Sequence, residues 1–342
     1  MMNRIVMSAA LAAAVLLGAG GAARAGATVD AIKSRGVVTC GVNTGVAGFS
    51  MPDAKGAWTG LDVDLCKAFA AAVLGDANKT KFVPMTAAQR FTALQSGEID
   101  VLTRNTTITL VRDASLGLLG AGINFYDGQG FMVKKDLNVK SLKELNGATI
   151  CAAQGTTHEL NMADYFRANK LTYKPVVIEN QDQMYEAYFA GRCDAMTQDS
   201  SALAAVLASK PQLAGNYMIL PERISKEPLG PMVRQDDLAW FNIVRYTLFA
   251  MIEAEERGIT QANVDEMLKT EDPGTKRLLG VTEGNGKALG LDEKWAYNVI
   301  KQIGNYGESF ERNVGMGSGL KLERGINDLW TRGGLLYALP LR

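Results

Sequence analysis

Two stretches of this sequence match each other, and the match limits the folds that the chain can adopt. Residues 93–107 align without gaps on residues 187–201. In both copies an amphipathic helix stops at a glycine, Gly97 or Gly191, and an aspartate then opens a short strand that ends in polar residues. The repeat favours two similar α/β lobes, each presenting a polar strand end. The alternative is a chance similarity of two strand–helix units, because most of the matched residues are generic.

Strand and helix patterns also alternate through the first two thirds of the chain. A buried strand is predicted at 37–42 and a helix at 61–74, and such alternation is typical of an α/β fold with open, mostly parallel sheets. After Pro228 the pattern becomes mostly helical, beginning with a long amphipathic helix at 236–257. The length of 342 residues is roughly twice that of a ~150-residue domain, so one or two compact units are expected.

The first 25 residues have the parts of a secretory signal peptide. Arg4 supplies the positive charge, residues 5–19 are almost wholly apolar, and Ala23-Arg24-Ala25 offers small residues around a cleavage site. A membrane anchor is the less favoured alternative, because the apolar stretch falls short of the ~20 residues that a span needs. We predict cleavage after Ala25 and export, to the periplasm if the host is Gram-negative.

Charge and residue counts exclude other classes of protein. The chain has 36 Lys and Arg against 36 Asp and Glu and no long run of one sign, so a nucleic-acid partner is not expected. His158 is the single histidine, and the four cysteines contain no CxxC pair, so neither a metal centre nor a cofactor is predicted. GxSxG and HExxH motifs are also absent from the sequence.

Export makes disulfides feasible, and four cysteines allow three pairings. The pairing Cys40–Cys66 with Cys151–Cys193 keeps each bridge inside one predicted lobe. The other two pairings would link the lobes and oppose their relative motion. Four buried free thiols are a further alternative.

Three predicted strand ends are unusually polar, at 105–112, 154–157 and 198–201. Arg112 suits a two-pronged contact with a carboxylate, and the segment ending in Thr157 opens a helix whose N–H groups suit an anion. Asp199 supplies a negative charge, so the three together suit an α-amino acid. The alternatives are local: Thr157 as a helix cap, Arg112 in a surface ion pair with Asp113, and Asp199 as the cap of the next helix.

The same segments resemble the polar amino-acid family of periplasmic solute-binding proteins of ABC transporters. The resemblance lies in Asn105-Thr106-Thr107-Ile108-Thr109…Arg112, in Gln154-Gly155-Thr156-Thr157, in Gly191…Asp194-Ala195…Asp199 and in the opening segment 41–65. It covers about residues 37–257. It looks closest to the general L-amino-acid-binding subgroup, through segments 86–91 and 104–107, the four cysteines and the long C-terminal extension.

This resemblance implies a two-lobed periplasmic binding protein fold of type II, with flanking helices and a hinge between the lobes. Lobe one would comprise residues 26–128 plus 229–342, with a C-terminal helical extension, and lobe two residues 129–228. The ligand would be an L-amino acid, and the partner an inner-membrane ABC permease with its ATPase. We expect a monomer.

The resemblance also implies a set of ligand-binding residues. Arg112 and Thr107 would hold the ligand's carboxylate with Thr157, and Thr156 is a further candidate. Asp199 would hold its ammonium group with help from Asn105. Phe49 is a further candidate, to pack on the ligand's side chain; the alternative is that this lone aromatic residue of a loop belongs to the core.

Specificity is predicted to be broad. Members selective for basic ligands resemble one another in an acidic residue and an aromatic residue in the first loop, where this chain has Asn43 and Val46. Arg90 and Arg104 would favour acidic side chains. Two alternatives stay open at this point: an exported enzyme on the same fold, of the small-acid dehydratase type, and the ligand-binding partner of a sensory receptor.

Overall fold

The structure is a computed structural model, and it describes residues 26–342. The predicted signal peptide and its cleavage site lie outside the described residues. Fourteen strands follow one another along the described chain: β1 (Val38–Val42), β2 (Met51–Pro52), β3 (Trp58–Thr59), β4 (Thr80–Pro84), β5 (Val101–Leu102), β6 (Leu118–Gly120), β7 (Phe125–Asp127), β8 (Gln129–Lys134), β9 (Thr149–Ala153), β10 (Lys174–Ile178), β11 (Ala195–Asp199), β12 (Tyr217–Ile219), β13 (Glu227–Leu229) and β14 (Met232–Arg234).

Helices lie between and after these strands. The α-helices are α1 (Ala27–Arg35), α2 (Leu61–Leu74), α3 (Arg90–Gln95), α4 (Leu110–Ser115), α5 (Thr157–Ala168), α6 (Gln181–Phe189), α7 (Ser200–Ser209), α8 (Pro211–Ala214), α9 (Leu238–Glu256), α10 (Val264–Met267), α11 (Pro273–Leu278), α12 (Asn285–Leu289), α13 (Trp295–Ile303) and α14 (Tyr306–Asn313). Short 3₁₀ turns occur at Lys135–Leu137, Leu142–Leu145, Gly325–Asn327 and Trp330–Arg332. No helix within residues 26–342 combines the length and apolar character needed to cross a bilayer.

The strands form two five-stranded sheets of equivalent order, one in each lobe. The first has the order β4-β1-β5-β14-β6 and the second the order β10-β9-β11-β8-β12. In the first sheet β5 is parallel to β1 and antiparallel to β14. In the second sheet β11 is parallel to β9 and antiparallel to β8. The sheets are therefore mixed, because β14 and β8 enter from the connections between the lobes and run against their neighbours. The two-lobed α/β fold is confirmed.

The predicted repeat has the same backbone contacts in both lobes. Asp100 accepts a hydrogen bond from the backbone N–H of Thr39 at 2.7 Å, and Asp194 accepts the equivalent bond from Thr149 at 2.7 Å. The preceding glycine has a left-handed backbone in both copies. In each lobe one carboxylate thus fixes the start of a strand against its parallel neighbour.

The chain passes between the lobes along two short strands that pair with each other. β7 and β13 are antiparallel, with Phe125 opposite Leu229 and Asp127 opposite Glu227. The backbone is closely packed here, because a Cβ added at Gly230 would lie 2.0 Å from the Gly122 carbonyl oxygen. Side chains of this strand pair consequently lie beside both lobes.

The C-terminal helices complete the core of the first lobe. Trp240 of α9 is 1% exposed; its ring packs edge-on against Phe69 of α2, and its Nε1 donates to the Asp100 carbonyl. α13 packs on both α2 and α9 and contributes Trp295 and Ile300 to this core. Burial of these apolar faces explains why the pattern after β14 is mostly helical.

Both predicted disulfides are present, and each joins elements of a single lobe. Cys40 of β1 is bonded to Cys66 of α2, and Cys151 of β9 is bonded to Cys193 just before β11. Neither bridge connects the lobes, so the disulfides leave a hinge free to move.

We expect the denatured, unreduced protein to show no titratable thiol and the reduced protein to show four. Reaction with a chromogenic disulfide reagent in denaturant measures this number directly. Two or four reactive thiols before reduction would contradict the bridges seen here.

Candidate functional site

Asp199 lies at the carboxyl end of β11 and contacts both lobes. Its side chain is buried, with its Oδ1 at 3.0 Å from His158 Nε2, and its Oδ2 accepts a hydrogen bond from Asn105 Nδ2 at 3.2 Å. Asp199 precedes α7, but its carboxylate makes no capping bond to that helix. The alternative that it only caps a helix is therefore wrong, and its side chain faces the space between the lobes.

Glu227 of β13 is a second buried carboxylate in the same place. It accepts hydrogen bonds from Thr107 Oγ1 at 2.5 Å, Thr157 Oγ1 at 2.8 Å and Asn161 Nδ2 at 2.8 Å. Ser225 donates a further bond from its own strand connection. Thr107 belongs to the first lobe and Thr157 to the second, so this carboxylate joins the lobes through the connecting strand pair.

Arg112 lies opposite these carboxylates. It is buried on α4, its Nη1 donates to the Thr107 carbonyl oxygen at 2.6 Å, and its guanidinium stacks over the Phe91 ring at 4.9 Å. Asp113 instead accepts from the Gly120 backbone, so the predicted surface ion pair between the two is wrong. Burial lowers the pKa of Arg112 to about 10, against the opposing effect of the carboxylates, and it keeps its positive charge at neutral pH.

Two further buried arginines border this cluster. Arg90 Nη2 donates to the carbonyl of Gly155 in the other lobe at 3.3 Å, and its buried Nε has no hydrogen-bond partner among the described residues. Arg104 Nε donates to the Met85 carbonyl at 3.0 Å. Burial lowers the pKa of Arg104 to about 10, and it lowers that of Arg90 together with the charge of Arg112. The site thus contains a buried N–H donor without an acceptor in the described chain, on Arg90, and two positive charges in addition to that of Arg112.

Burial also affects two acids beside the cluster. The pKa of Asp127 on β7 is raised to about 7 by burial and by the nearby charge of Asp199, against hydrogen bonds from Ser201 and Gly128. The pKa of Asp62 is raised to about 6 by burial, although it accepts the Asn105 N–H at 2.7 Å. Burial thus brings both acids closer to protonation at neutral pH than an exposed carboxylate would be.

Neutral amides form the third part of the cluster. Asn43 Nδ2 lies 3.1 Å from Asn105 Oδ1 and 3.4 Å from Gln181 Oε1, and Gln181 donates to the hydroxyl of Tyr185. Asn43 belongs to the first lobe and Gln181 to the second. These contacts extend the polar network from Asp199 along the interface between the lobes.

A model of the bacterial extracellular solute-binding proteins, family 3, matches residues 38–262 of this sequence. The chain belongs to this family. Among its relatives, the general L-amino acid-binding periplasmic protein AapJ of Rhizobium johnstonii is 55% identical over 343 residues, covering 100% of both chains. The glutamate/glutamine/aspartate/asparagine-binding protein BztA of Rhodobacter capsulatus is 52% identical over 336 residues, or 98% of each chain.

A solved structure of the same type is also similar. The ABC transporter periplasmic binding protein from Brucella ovis with glutathione bound is 54% identical and superposes with a TM-score of 0.88, covering 92% of this chain and 99% of that one. This likeness extends beyond residue 262, where the match to the family model ends.

Most of the predicted ligand-binding residues of this family 3 protein lie together. Arg112, Thr107, Asn105, Thr157 and Asp199 all belong to the network described above. Their assignment to a ligand remains a proposal, but the local alternatives do not describe their contacts. Thr157 starts α5 and donates its hydroxyl to a carboxylate in another part of the chain.

Two predicted site residues need correction. Phe49 is 1% exposed and packs edge-on against Phe125 at 5.2 Å in the core of the first lobe, so its ring belongs to the core and not to the cleft. Thr156 precedes α5, and its hydroxyl donates to the Ala153 carbonyl at 2.7 Å. Because that hydroxyl is engaged in the turn after β9, we expect Thr156 to contact a ligand through its backbone.

Four residues of this network were not among the predicted site residues: His158, Asn161, Gln181 and Glu227. His158 and Asn161 lie about one helical turn or less from Thr157. The helical period could therefore have indicated that they lie near Thr157 on the surface of α5. Glu227 carried no such signal, because its partners from the two lobes, Asn161, Thr157 and Thr107, are 66 to 120 residues away in the chain. Only the pairing of β7 with β13 brings it between the lobes.

His158, Asp199 and Glu227 also form the group that could hold a metal ion within the described residues. One donor atom from each lies within 4.8 Å of the others. His158 and Asp199 already form a hydrogen bond with each other, and the two carboxylates accept hydrogen bonds from Asn105 and Thr107. Their contacts are therefore explained without an ion. The expectation of no metal stays a prediction.

Proposed function

We propose that this family 3 protein captures L-amino acids between its lobes in the periplasm and delivers them to an ABC permease driven by its ATPase. The observation that carries the proposal is that Arg112 of the first lobe and Asp199 of the second are both buried in the polar network between the lobes. A guanidinium suits the ligand's α-carboxylate, and a carboxylate suits its α-ammonium group. The names of the full-length relatives AapJ and BztA support the same ligand class.

The start of α5 complements Arg112 in binding the ligand's carboxylate. The first N–H groups of a helix lack intrahelical acceptors, and the helix dipole favours a negative charge there. α5 extends from Thr157 to Ala168, long enough to develop this effect. Because Glu227 already accepts from the hydroxyls of Thr107 and Thr157, we assign these two residues a contact through their backbone N–H groups and an orienting role for Glu227.

We propose a hinge mechanism with lobe one at 26–128 plus 229–342 and lobe two at 129–228. The pairing of β7 with β13 would be the hinge, since these strands carry both connections between the lobes. Ligand binds one lobe first and closure completes the contacts from the other. The ligand shifts the balance towards the closed form only by its preference for that form.

We further propose a preference for acidic and amide side chains within a broad range. Arg90 and Arg104 add positive charge beside the cluster, and the Nε of Arg90 is a buried donor in need of an acceptor. Asn43 and Gln181 provide amides that both donate and accept. A lysine or arginine side chain would meet like charge here.

Glutathione is a second candidate ligand, because it is bound in the similar structure from Brucella ovis. Its γ-glutamyl end carries the free α-carboxylate and α-ammonium of an amino acid. Arg112 and Asp199 would therefore bind it as they bind glutamate. Calorimetric titration with reduced glutathione tests this ligand alongside the amino acids.

We also propose binding without turnover, by a monomer exported through cleavage after Ala25. His158 is buried against Asp199, which suits a structural and electrostatic role better than proton transfer to substrate. A dehydratase would be revealed by mass spectrometry of the ligand after incubation. A receptor-partner role would be revealed by genomic neighbours that encode a sensor in place of a permease.

A thermal-shift screen against the twenty amino acids tests the proposed function. We expect glutamate, glutamine, aspartate and asparagine to raise the melting temperature, because a ligand at 100 times its Kd stabilises the folded state by about 2.7 kcal/mol. Lysine and arginine should give smaller shifts. A screen in which no amino acid raises the melting temperature would refute the proposal.

The His158–Asp199 pair makes the stability of the folded chain depend on pH. Burial alone lowers the pKa of His158, but the carboxylates of Asp199 and Glu227 outweigh it and raise the pKa above its ordinary value. The folded chain therefore holds a proton that the unfolded chain releases. This contribution to the free energy of unfolding is complete below about pH 6.5 and is lost as the pH rises through the raised pKa.

We expect the protein to lose more free energy of unfolding than its His158→Gln variant between about pH 6 and about pH 9. Urea denaturation at the two pH values measures both losses, and the variant serves as the control for other titrating groups such as Asp127. An equal loss in both proteins would contradict the raised pKa.

A further inference from the structure

A cavity of about 260 Å³ lies between the lobes, beside the amino-acid cluster. The first lobe contributes residues 45–47 and Met51, and the second contributes the facing sides of α6 and α7. Val46 and Val206 give its lining an apolar part. Its charged lining residues are Lys210 and two carboxylates of α6, Asp182 and Glu186. The cavity therefore has room for several water molecules or for a short peptide extension of a ligand.

Tyr185 connects this cavity with the proposed amino-acid site. Its side chain lines the cavity, and its hydroxyl accepts a hydrogen bond from Gln181. Gln181 in turn contacts Asn43, which contacts Asn105 beside Asp199. The cavity therefore lies at one end of this chain of neutral amides. The other end lies beside Asp199, where the ligand's ammonium group is proposed to bind.

The amide chain is held together weakly at the point where the two lobes meet. The Asn43–Gln181 distance of 3.4 Å is at the outer limit of a hydrogen bond. Asn43 is fully buried and Gln181 nearly so. Both side chains can donate and accept, so an amide group of a ligand could exchange places with this contact without leaving either one unpaired.

We propose that this cavity is a second subsite that receives the group attached through an amide bond to the ligand's side chain. γ-Glutamyl peptides would then be a ligand class, with the glutamyl end at Arg112 and Asp199, the γ-amide at Asn43 and Gln181, and the next residue in the cavity. This inference rests on the proposed function, because it takes the amino-acid end as already bound.

The subsite also accounts for the character of the cavity wall. Small side chains such as Ala202 and Ala205 on α7 leave the space open, and the apolar residues accept an aliphatic or thiol side chain. Lys210 lies at the rim, where it can meet the terminal carboxylate of a short peptide. Free amino acids would bind without filling this space.

The test uses calorimetric titration of the purified protein with glutamate and with γ-glutamylglycine. Ser209→Trp and Ala47→Trp each place a large ring at the rim of the cavity, outside the amino-acid cluster. Ala208→Trp is the matched control, since Ala208 is exposed on the same turn of α7 and does not line this cavity. Melting temperatures of all variants confirm folding.

We expect both rim variants to bind γ-glutamylglycine at least about tenfold more weakly and to bind glutamate within about twofold of the unmodified protein. The control should match the unmodified protein for both ligands. Binding of glutamate without γ-glutamylglycine by the unmodified protein would overturn this inference alone. So would rim variants that leave both affinities unchanged or weaken both equally. Failure of the unmodified protein to bind either ligand would overturn the proposed function itself.

Discussion

Arg112→Ala is expected to weaken the binding of amino acids by at least about 2 kcal/mol, or about 30-fold. The variant removes the buried guanidinium that faces the ligand's carboxylate and leaves that carboxylate without its charged partner. The loss should be similar for glutamate, glutamine and histidine, because all three share the α-carboxylate. Calorimetric titration with the three ligands measures it.

Two further variants define the role of Arg112. Arg112→Lys keeps the charge but cannot make a two-pronged contact, so its affinity should lie between those of the unmodified protein and the alanine variant. Arg167→Ala removes an exposed arginine of α5 that pairs with Asp164, and it should leave affinity unchanged. A lower melting temperature with intact binding in Arg112→Ala would show that Arg112 serves stability alone.

Asp199→Asn is expected to weaken amino-acid binding by about 3 kcal/mol or more, over 100-fold. Asparagine preserves the shape of the side chain and removes the charge that faces the ligand's ammonium group. His158 would also lose its charged partner, so the positive charge near the ammonium group would no longer be balanced. Titration with glutamate measures the loss in affinity.

A matched control comes from the repeat itself. Asp194→Asn changes a carboxylate five residues earlier in the same segment, where it accepts from the Thr149 backbone away from the cluster, and it should not alter affinity. A ligand analogue that lacks the ammonium group gives an independent readout. The unmodified protein should prefer glutamate over glutarate strongly, and Asp199→Asn should lose most of that preference. Retained preference would contradict the assigned role.

Much of the fold followed from local patterns in the sequence. Helix α2 begins and ends at the predicted residues, and the bridges Cys40–Cys66 and Cys151–Cys193 join the predicted pairs. These features depend on short-range information: hydrophobic period, glycine stops such as Gly75 after α2, and the assignment of segments to one lobe. The repeat supplied the number of lobes.

The errors concern residues whose surroundings are set at long range. Phe49 was assigned to the ligand with the core as the alternative, and its packing against Phe125, a residue distant in the sequence, decides for the core. Glu227 lies in a short strand with no distinctive motif, yet it accepts hydrogen bonds from residues of both lobes. The long helix predicted at 236–257 differs by one or two residues at its ends from α9, since helix ends depend on capping geometry.

The sequence by itself determined the class of this protein: two α/β lobes with polar strand ends that carry a guanidinium and a carboxylate suited to an amino acid. The tertiary structure decided which side chains share the cleft. It placed His158 and Glu227 in the network, moved Phe49 to the core and opened a cavity beyond Tyr185. The physical reason is that hydrogen bonds across the cleft join residues far apart in the chain, and only the closure of the two lobes fixes their distances.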